Sequence, residues 1–315
     1  TSFVANTKVT NFSATTYFRK QVMSSSSRNM HKINSDSFYN EYHGHKIEHL
    51  EKLYPLLRSN SDAMIWTAGD SSLDNKYWFG DQQPAVGEYA NILDPPYSVC
   101  DVTYWLNYIN EESSKRSSSS GDRNTIQNLP TINTAVEETT LNERSCELRS
   151  QDVFIRDNIG SEDVLIVSVG GNDVALYPTP RTIANMAGLI CLPEKLLEGR
   201  FMGGWIPCMG YFRHLLGARI QEYIERITSK TKPKKILVCM IYYPDENNVE
   251  SWAGPTLRAL GYDSNPAKLQ MVIRKFFEEA TSRITISGSE VIPVPIFNVL
   301  DGKRSEDYVE RVEPS

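Results

Sequence analysis

Short, almost uninterrupted runs of apolar residues, separated by amphipathic helical segments, constrain the fold of this chain most. The clearest run, 163–169, ends in Gly170-Gly171-Asn172-Asp173, and an earlier run, 63–69, ends in Asp70-Ser71. Such runs are typical of strands buried on both faces, which occur in parallel sheets covered by helices. Five runs of this kind are present. They predict a three-layer α/β/α sandwich around a flavodoxin-like, five-stranded parallel sheet.

The rest of the chain continues this alternation. Periodicity predicts helices at 41–57, 100–110, 211–227 and 266–281, and strands at 129–136, 235–243 and 290–297. The prolines of the last run place it at a sheet edge. The predicted organisation is an N-terminal arm at 1–40 and one α/β domain at 41–315, with insertions at 77–97, 111–128 and 178–207. The serine-rich insertion at 111–128 is predicted to be a surface loop.

The composition argues against several classes of protein. The net charge of -6 gives no basic surface for nucleic acid, and no run of about 18 apolar residues is present to span a bilayer. The 5 cysteines form no Cys-x-x-Cys pair, which is typical of free thiols in a reducing compartment. The first 20 residues lack the apolar core of a secretion signal. We therefore predict a cytoplasmic protein with no nucleic-acid or membrane partner and no cofactor or metal, and leave its oligomeric state open.

Ser71 follows the first apolar run directly, where the chain turns into a polar segment. A serine at this position exposes its hydroxyl at the carboxyl end of a parallel strand, where such sheets bind ligands. Its backbone N–H lies near a helix start, where partial positive charge gathers. A nucleophilic serine needs both features. In isolation, Gly69-Asp70-Ser71 would be explained more simply as a helix cap. Whether Ser71 is a cap or a nucleophile depends on the rest of the sequence.

Four short motifs, in order along the chain, resemble the sequence blocks of the GDSL, or SGNH, hydrolase superfamily. Gly69-Asp70-Ser71-Ser72 resembles the first block and Gly170-Gly171-Asn172-Asp173 resembles the third, each directly after a strand. The second and fourth blocks are aligned mainly by position, and they are Asn133-Thr134-Ala135-Val136-Glu137-Glu138-Thr139-Thr140 and Glu310-Arg311-Val312-Glu313-Pro314-Ser315. The resemblance extends from about residue 62 to residue 315.

The resemblance implies a serine hydrolase that cleaves a carboxylic ester with a short acyl or acetyl group. Ser71 is then the nucleophile, and its backbone N–H, the backbone N–H at 138 and the Asn172 side-chain amide form the oxyanion hole. The same motifs place further residues around the pocket, namely Asp70, Glu138, Gly171 and Asp173. The implied partner is a small-molecule ester or an acetylated carbohydrate.

The sequence departs from the family pattern at functional positions. Glu138 stands where the family has glycine, and Glu313 stands where it has the catalytic histidine. Glu310 stands in place of the aspartate that accompanies that histidine. A backbone N–H survives the change at 138. A carboxylate with an ordinary pKa of about 4.3 accepts a serine proton poorly, so Glu313 can act as a base only if burial raises its pKa.

The sequence is also compatible with two other functions. A non-catalytic descendant would keep the pocket and bind a ligand or a protein partner through it. A divalent cation could instead be held by Asp70, Glu138, Asp173 and Glu313, although their spacing matches no known metal-binding loop. An enzyme should hold Ser71 within about 3 to 4 Å of a base, whereas a binding protein need not.

Three further predictions concern residues outside the motifs. The histidines before the first strand are predicted to be solvated rather than metal ligands, and they are His43, His45 and His49. Three tryptophans with apolar neighbours are predicted to lie in the core, namely Trp66, Trp105 and Trp252. The insertion at 178–207 is predicted to form a lid over the site.

Overall fold

A computed structural model describes residues 32–120, 129–199 and 205–315 of the chain. Most of the predicted N-terminal arm, the end of the serine-rich insertion and a short part of the third insertion lie outside the described residues. No helix within the described ranges combines the length and the apolar character needed to cross a membrane. The cytoplasmic location stays a prediction.

A five-stranded sheet forms the centre of the fold. Its strands are β1 Ile65–Gly69, β2 Thr131–Asn133, β3 Val164–Ser168, β4 Lys235–Cys239 and β5 Glu290–Val294. They lie in the order β2-β1-β3-β4-β5, all neighbours are parallel, and helices flank the sheet. The predicted three-layer, flavodoxin-like architecture is confirmed, with the proline-containing strand at an edge. The strand order reverses between β1 and β3, which is where such sheets bind ligands.

The longer helices within the described residues are α1 Ile47–Ser59, α2 Val102–Ser120, α3 Ser150–Asn158, α4 Pro180–Cys191, α5 Arg219–Ile227 and α6 Pro266–Glu279. Shorter helices are Ser35–Tyr39, Glu88–Ile92, Leu141–Cys146, Gly171–Ala175, Glu194–Leu197, Met209–Arg213 and Gly254–Ala259. A π-helical turn, His214–Ala218, precedes α5, and 3-10 turns lie at Lys76–Trp78, Thr281–Arg283, Ile296–Asn298 and Ser305–Asp307. Three small strand pairs complete the fold, Ile33–Asn34 with Leu93–Asp94, Gln82–Pro84 with Tyr97–Val99, and Tyr308–Val309 with Glu313–Pro314.

One row of side chains across the sheet shows why these segments become strands. Trp66 of β1 pairs with Leu165 of β3, and Leu165 pairs with Ile236 of β4. All three side chains are fully buried. Full burial of each aliphatic side chain stabilises the fold by about 1.5–3 kcal/mol. The Trp66 indole N–H donates to Asp163 at 2.8 Å, so the one polar atom of this row is also satisfied.

Helix α2 differs from its prediction in length and in orientation. It continues to Ser120 through part of the segment predicted as a loop, while Trp105 and Ile109 are 47% and 59% exposed. The inward face instead carries Asn107, which exchanges hydrogen bonds with the backbone of Thr131 in edge strand β2. Asn107 thus covers the edge of β2 with hydrogen bonds, while Trp105 and Ile109 face away from the sheet. The core prediction for Trp105 was therefore wrong.

The prediction of solvated histidines fails at His45. Its ring is buried, stacks on Phe38 at a centroid distance of 4.0 Å, and has Nδ1 2.9 Å from the Phe38 carbonyl oxygen. Burial lowers the pKa of His45 to about 3, so the ring is neutral. His45 is therefore a structural residue that joins the helix Ser35–Tyr39 to the start of α1.

Candidate active site

Two motif residues far apart in the sequence meet at the carboxyl end of β1. Ser71 follows that strand, and Glu313 lies in the C-terminal strand pair. The Ser71 hydroxyl donates to Glu313 Oε1 at 3.3 Å. Glu313 is only 4% exposed, and its Oε2 has no hydrogen-bond partner among the described residues. Ser71 thus has a buried carboxyl group within the distance that a nucleophile and its base require.

The backbone before Ser71 is fixed by a close approach of β1 to β3. Gly69 has a φ of +142°, and a Cβ at this position would lie 1.7 Å from the Ser168 carbonyl oxygen. The Asp70 N–H donates to that same oxygen at 3.1 Å. The N–H groups of Leu73 and Asp74 then both donate to the Asp70 carbonyl at 3.0 Å. Only glycine fits at 69, and the turn after it projects Ser71 from the sheet.

Two buried carboxyl groups set the electrostatics of the site. Asp70 Oδ1 accepts hydrogen bonds from the N–H and the hydroxyl of Ser72, at 3.2 and 2.8 Å. Burial raises the pKa of Asp70 to about 6. Burial, followed by the charge of Asp70, raises the pKa of Glu313 to about 8, while the hydrogen bond from Ser71 lowers it. Glu313 therefore titrates in the range in which a general base works near neutral pH.

The predicted oxyanion donors lie around the same strand end. The Asn172 side-chain amide donates to the Thr139 carbonyl at 3.1 Å, and the Val136 N–H donates to the Gly69 carbonyl at 3.0 Å. These bonds hold the loop after β2 against β1 and Asn172. In the described part of the chain, the N–H groups of Ser71 and Glu138 donate to no protein acceptor. They remain free for a ligand, whereas one N–H of the Asn172 amide already holds the loop.

Glu138 occupies a position where glycine is favoured for a physical reason. Its φ is +56°, in the left-handed region that costs a residue with a side chain about 1–2 kcal/mol. The residue is half-buried, and burial, followed by the nearby Glu138 carboxylate, raises the pKa of Tyr42. The backbone conformation that the family's glycine implies is thus kept here, with the Glu138 side chain directed to Tyr42.

Two predicted site carboxylates have other partners. Glu310 Oε2 accepts the Trp252 N–H at 3.2 Å. Asp173 accepts the N–H groups of Leu141 and Asn142 at 2.7 and 3.1 Å, and so caps the helix Leu141–Cys146. Neither carboxylate has a hydrogen bond to Ser71 or Glu313 among the described residues. Glu310 therefore does not orient Glu313 as an aspartate orients a catalytic histidine.

A buried ion cluster beside Ser71 was missed from the sequence. The Lys76 ammonium donates to both oxygens of Asp74, at 2.8 and 2.9 Å, and to Glu137 Oε1 at 3.0 Å. Asp74 Oδ1 also accepts the Asn133 side-chain amide at 2.9 Å. All of these side chains are buried. The cluster joins the turn after Ser71 to the loop that carries Glu138, and so fixes the distance between nucleophile and oxyanion donors.

An apolar cavity of about 120 Å³ opens beside Ser71. Its polar lining includes Ser71, Asn172 and Glu313. The remaining wall is mostly apolar and includes Met186, Ile241, Leu257, Leu269, Ile273 and Phe276. Helix α4, inside the insertion predicted as a lid, supplies Met186. Trp252 also lines the cavity and is 37% exposed, so its core prediction was wrong.

A metal site has no geometric support in the ranges that the structure describes. No three His, Cys, Asp or Glu side chains converge there as ligands of an ion. Asp70, Glu138, Asp173 and Glu313 therefore do not form a ligand set among the described residues.

No family model matches the chain, and no curated protein matches it in sequence. Solved structures similar to it include an extracellular lipase from Streptomyces rimosus, with 12% identity, 80% of this chain and 92% of that chain covered, and a TM-score of 0.32. A protein described as a GDSL-like lipase from Parabacteroides merdae has 12% identity, coverages of 81% and 89%, and a TM-score of 0.36. An alpha/beta hydrolase enzyme from the metagenome of Lake Arreo, Spain, has 10% identity, coverages of 81% and 88%, and a TM-score of 0.34.

The positions of the four motifs on the sheet agree with the family resemblance. The first three follow β1, β2 and β3, and the fourth lies in the C-terminal strand pair that reaches Ser71. The described residues form a three-layer α/β/α fold in which the motifs lie along the carboxyl edge of the parallel sheet. A fold can host many activities, so the function depends on the geometry around Ser71.

Proposed function

We propose that the protein is a serine hydrolase that cleaves carboxylic esters, with Ser71 as nucleophile and Glu313 as general base. One observation carries the proposal, namely the 3.3 Å hydrogen bond from Ser71 Oγ to Glu313 Oε1 at the end of an apolar cavity. A protein that only bound ligands in this cavity would not require a buried carboxyl group whose raised pKa suits proton transfer.

In the proposed reaction, ionised Glu313 accepts the hydroxyl proton as Ser71 Oγ attacks the ester carbonyl carbon. The backbone N–H groups of Ser71 and Glu138 and the Asn172 amide stabilise the oxyanion. The intermediate collapses when Glu313 returns the proton to the leaving alcohol oxygen, which leaves an acyl group on Ser71. Water then attacks the acyl-enzyme with Glu313 again as base, releasing the carboxylic acid and restoring the Ser71 hydroxyl.

The cavity refines the proposed substrate. Its apolar wall favours an acyl chain longer than acetyl, because each buried methylene contributes about 0.8 kcal/mol to binding. The alcohol part of the ester would lie outside this cavity, towards Glu138 and Tyr42. Of the two partners predicted from the sequence, we therefore favour a small-molecule ester with a longer acyl chain over an acetylated carbohydrate.

Filling the cavity should change the acyl-chain preference. We expect Ile273→Trp to lower kcat/KM for a p-nitrophenyl octanoate ester by about tenfold or more, and to leave the acetate ester nearly unchanged. Ile109→Trp, at an exposed position on α2, is the matched control. The measurement is kcat/KM over a series of chain lengths, with the unfolding temperature recorded for each variant. An equal loss for both esters would contradict this use of the cavity.

Removing the charge of Asp70 should shift the pH dependence of catalysis. Asp70→Asn keeps an acceptor for Ser72 but removes the negative charge that raises the pKa of Glu313. kcat/KM should rise with pH as Glu313 ionises. We therefore expect the midpoint of this rise to move to lower pH in Asp70→Asn. The profile is measured between about pH 5 and about pH 10, with exposed Asp81→Asn as control. An unchanged midpoint in Asp70→Asn would contradict the electrostatic coupling.

A further inference from the structure

Arg311 lies two residues before Glu313, and its guanidinium is wholly buried. Nη1 donates to Asp263 Oδ1 at 3.1 Å, while Nη2 and Nε donate to the Asp245 carbonyl oxygen at 3.1 and 3.3 Å. The Arg311 carbonyl in turn accepts the Asp245 N–H at 2.9 Å. A further contact joins Nη1 to Asn248 Oδ1 at 3.4 Å. Arg311 thus binds the C-terminal tail, defined as residues 301–315, to the loop after β4 and to Asp263.

The tail needs an anchor at this point because its backbone reverses in an unfavourable conformation. Glu310 and Arg311 have φ values of +52° and +66°, and neither is a glycine. Each such residue costs about 1–2 kcal/mol, so the turn persists only where contacts hold it. The contacts at Glu310 are the hydroxyl of Ser251, which donates to its carbonyl, and the Trp252 N–H, which donates to its carboxylate.

The turn determines where the Glu313 carboxyl group lies. After Arg311, the Val312 carbonyl accepts the Tyr242 hydroxyl at 2.5 Å, and Glu313 pairs with Val309. Ser71 is the single hydrogen-bond partner of the Glu313 side chain among the described residues, and no second side chain orients it. The position of this carboxyl group is therefore set through the backbone that Arg311 holds.

We propose that Arg311 is the positioning residue for Glu313, the proposed base. Arg311 thereby performs the orienting role that Glu310 does not perform. The inference rests on the proposed function, since Arg311 acts only through Glu313. A displacement of about 1 Å between reacting groups can cost about 100-fold in rate. Lysine at 311 keeps the charge but lacks the planar fork that reaches both Asp263 and the Asp245 carbonyl.

The test is the rate at which a fluorophosphonate labels Ser71 in wild type, Arg311→Met and Arg311→Lys. The matched control is Arg304→Met, because Arg304 lies on the same tail, is exposed and pairs with Glu306. Labelling is counted per folded molecule by mass spectrometry, at a series of pH values up to about pH 9, where Glu313 is ionised. Asp263→Asn weakens the same ion pair without truncating Arg311, and serves if Arg311→Met does not fold.

We expect Arg311→Met to lower the labelling rate about 10- to 100-fold, Asp263→Asn and Arg311→Lys to lower it less, and Arg304→Met to leave it unchanged. A purely structural role would lower the unfolding temperature without changing the rate per folded molecule. Labelling of Arg311→Met, or of Asp263→Asn in its place, at the wild-type rate would overturn this inference alone. A wild-type protein that resists labelling at Ser71 would overturn the proposed function as well.

Discussion

Ser71→Ala should lower kcat for a p-nitrophenyl ester by about three to four orders of magnitude or more. The hydroxyl that attacks the carbonyl is lost, and no acyl-enzyme can form. The fold should be unaffected, because the hydrogen bond removed is a single 3.3 Å contact at the edge of a cavity. The measurement is steady-state turnover, with circular dichroism and an unfolding curve to establish that the variant is folded.

The adjacent serine provides the control. The Ser72 hydroxyl lies 2.8 Å from Asp70 Oδ1 and 2.6 Å from Ser168 Oγ, and in the described part of the chain it has no hydrogen bond to Glu313. Ser72→Ala should therefore remove only the hydroxyl's hydrogen bonds to Asp70 and Ser168, and should retain most of the turnover. Equal losses in the two variants would indicate that the turn as a whole, and not the Ser71 hydroxyl, is required.

Glu313→Gln should combine a large loss of activity with a gain of stability at alkaline pH. Glutamine cannot accept the Ser71 proton, so turnover should fall by about three to four orders of magnitude. The pKa of Glu313 is raised from 4.5 to about 8 in the folded protein. Stability from this group is fully present below 4.5 and is lost as pH rises through about 8, because only the unfolded state then releases the proton freely. Glutamine does not titrate and avoids this loss.

The stability effect is measured as the difference in unfolding temperature between variant and wild type. We expect a difference near zero at about pH 4 and several degrees in favour of Glu313→Gln at about pH 9. Glu250→Gln, at an exposed position, should show no such pH dependence. A difference that stays constant over this range would mean that Glu313 is not held in its protonated form by burial.

Local sequence patterns predicted the parts of the fold that local physics determines. Buried parallel strands such as β3 are continuous apolar runs, so their positions were clear, and the strand ends placed Ser71 and Asn172 at one edge of the sheet. Helix α2 shows the limit of this reasoning. The hydrogen bonds of Asn107 to edge strand β2 decide which side faces inward, and hydrophobic periodicity carries no information about them.

The remaining site features depend on contacts between distant segments. The cavity wall combines Met186 of α4 with Ile273 and Phe276 of α6, and each helix taken alone shows ordinary core periodicity. The reversal at Glu310 and Arg311 has no turn signal, since neither residue favours a positive φ. The sequence consequently placed Glu310 beside Glu313 as a partner, whereas the structure turns its carboxylate to Trp252.

The most direct test of the central claim is the pH dependence of Ser71 labelling by a fluorophosphonate, with the adduct located by peptide mass spectrometry. We expect an adduct on Ser71, a labelling rate that rises with an apparent pKa of about 8, and a rate at least about a hundredfold lower in Glu313→Gln. An adduct that forms equally fast in Glu313→Gln would contradict the role of Glu313. Absence of any adduct on Ser71 would contradict the proposed serine hydrolase function. It would favour a protein that binds ligands in the cavity.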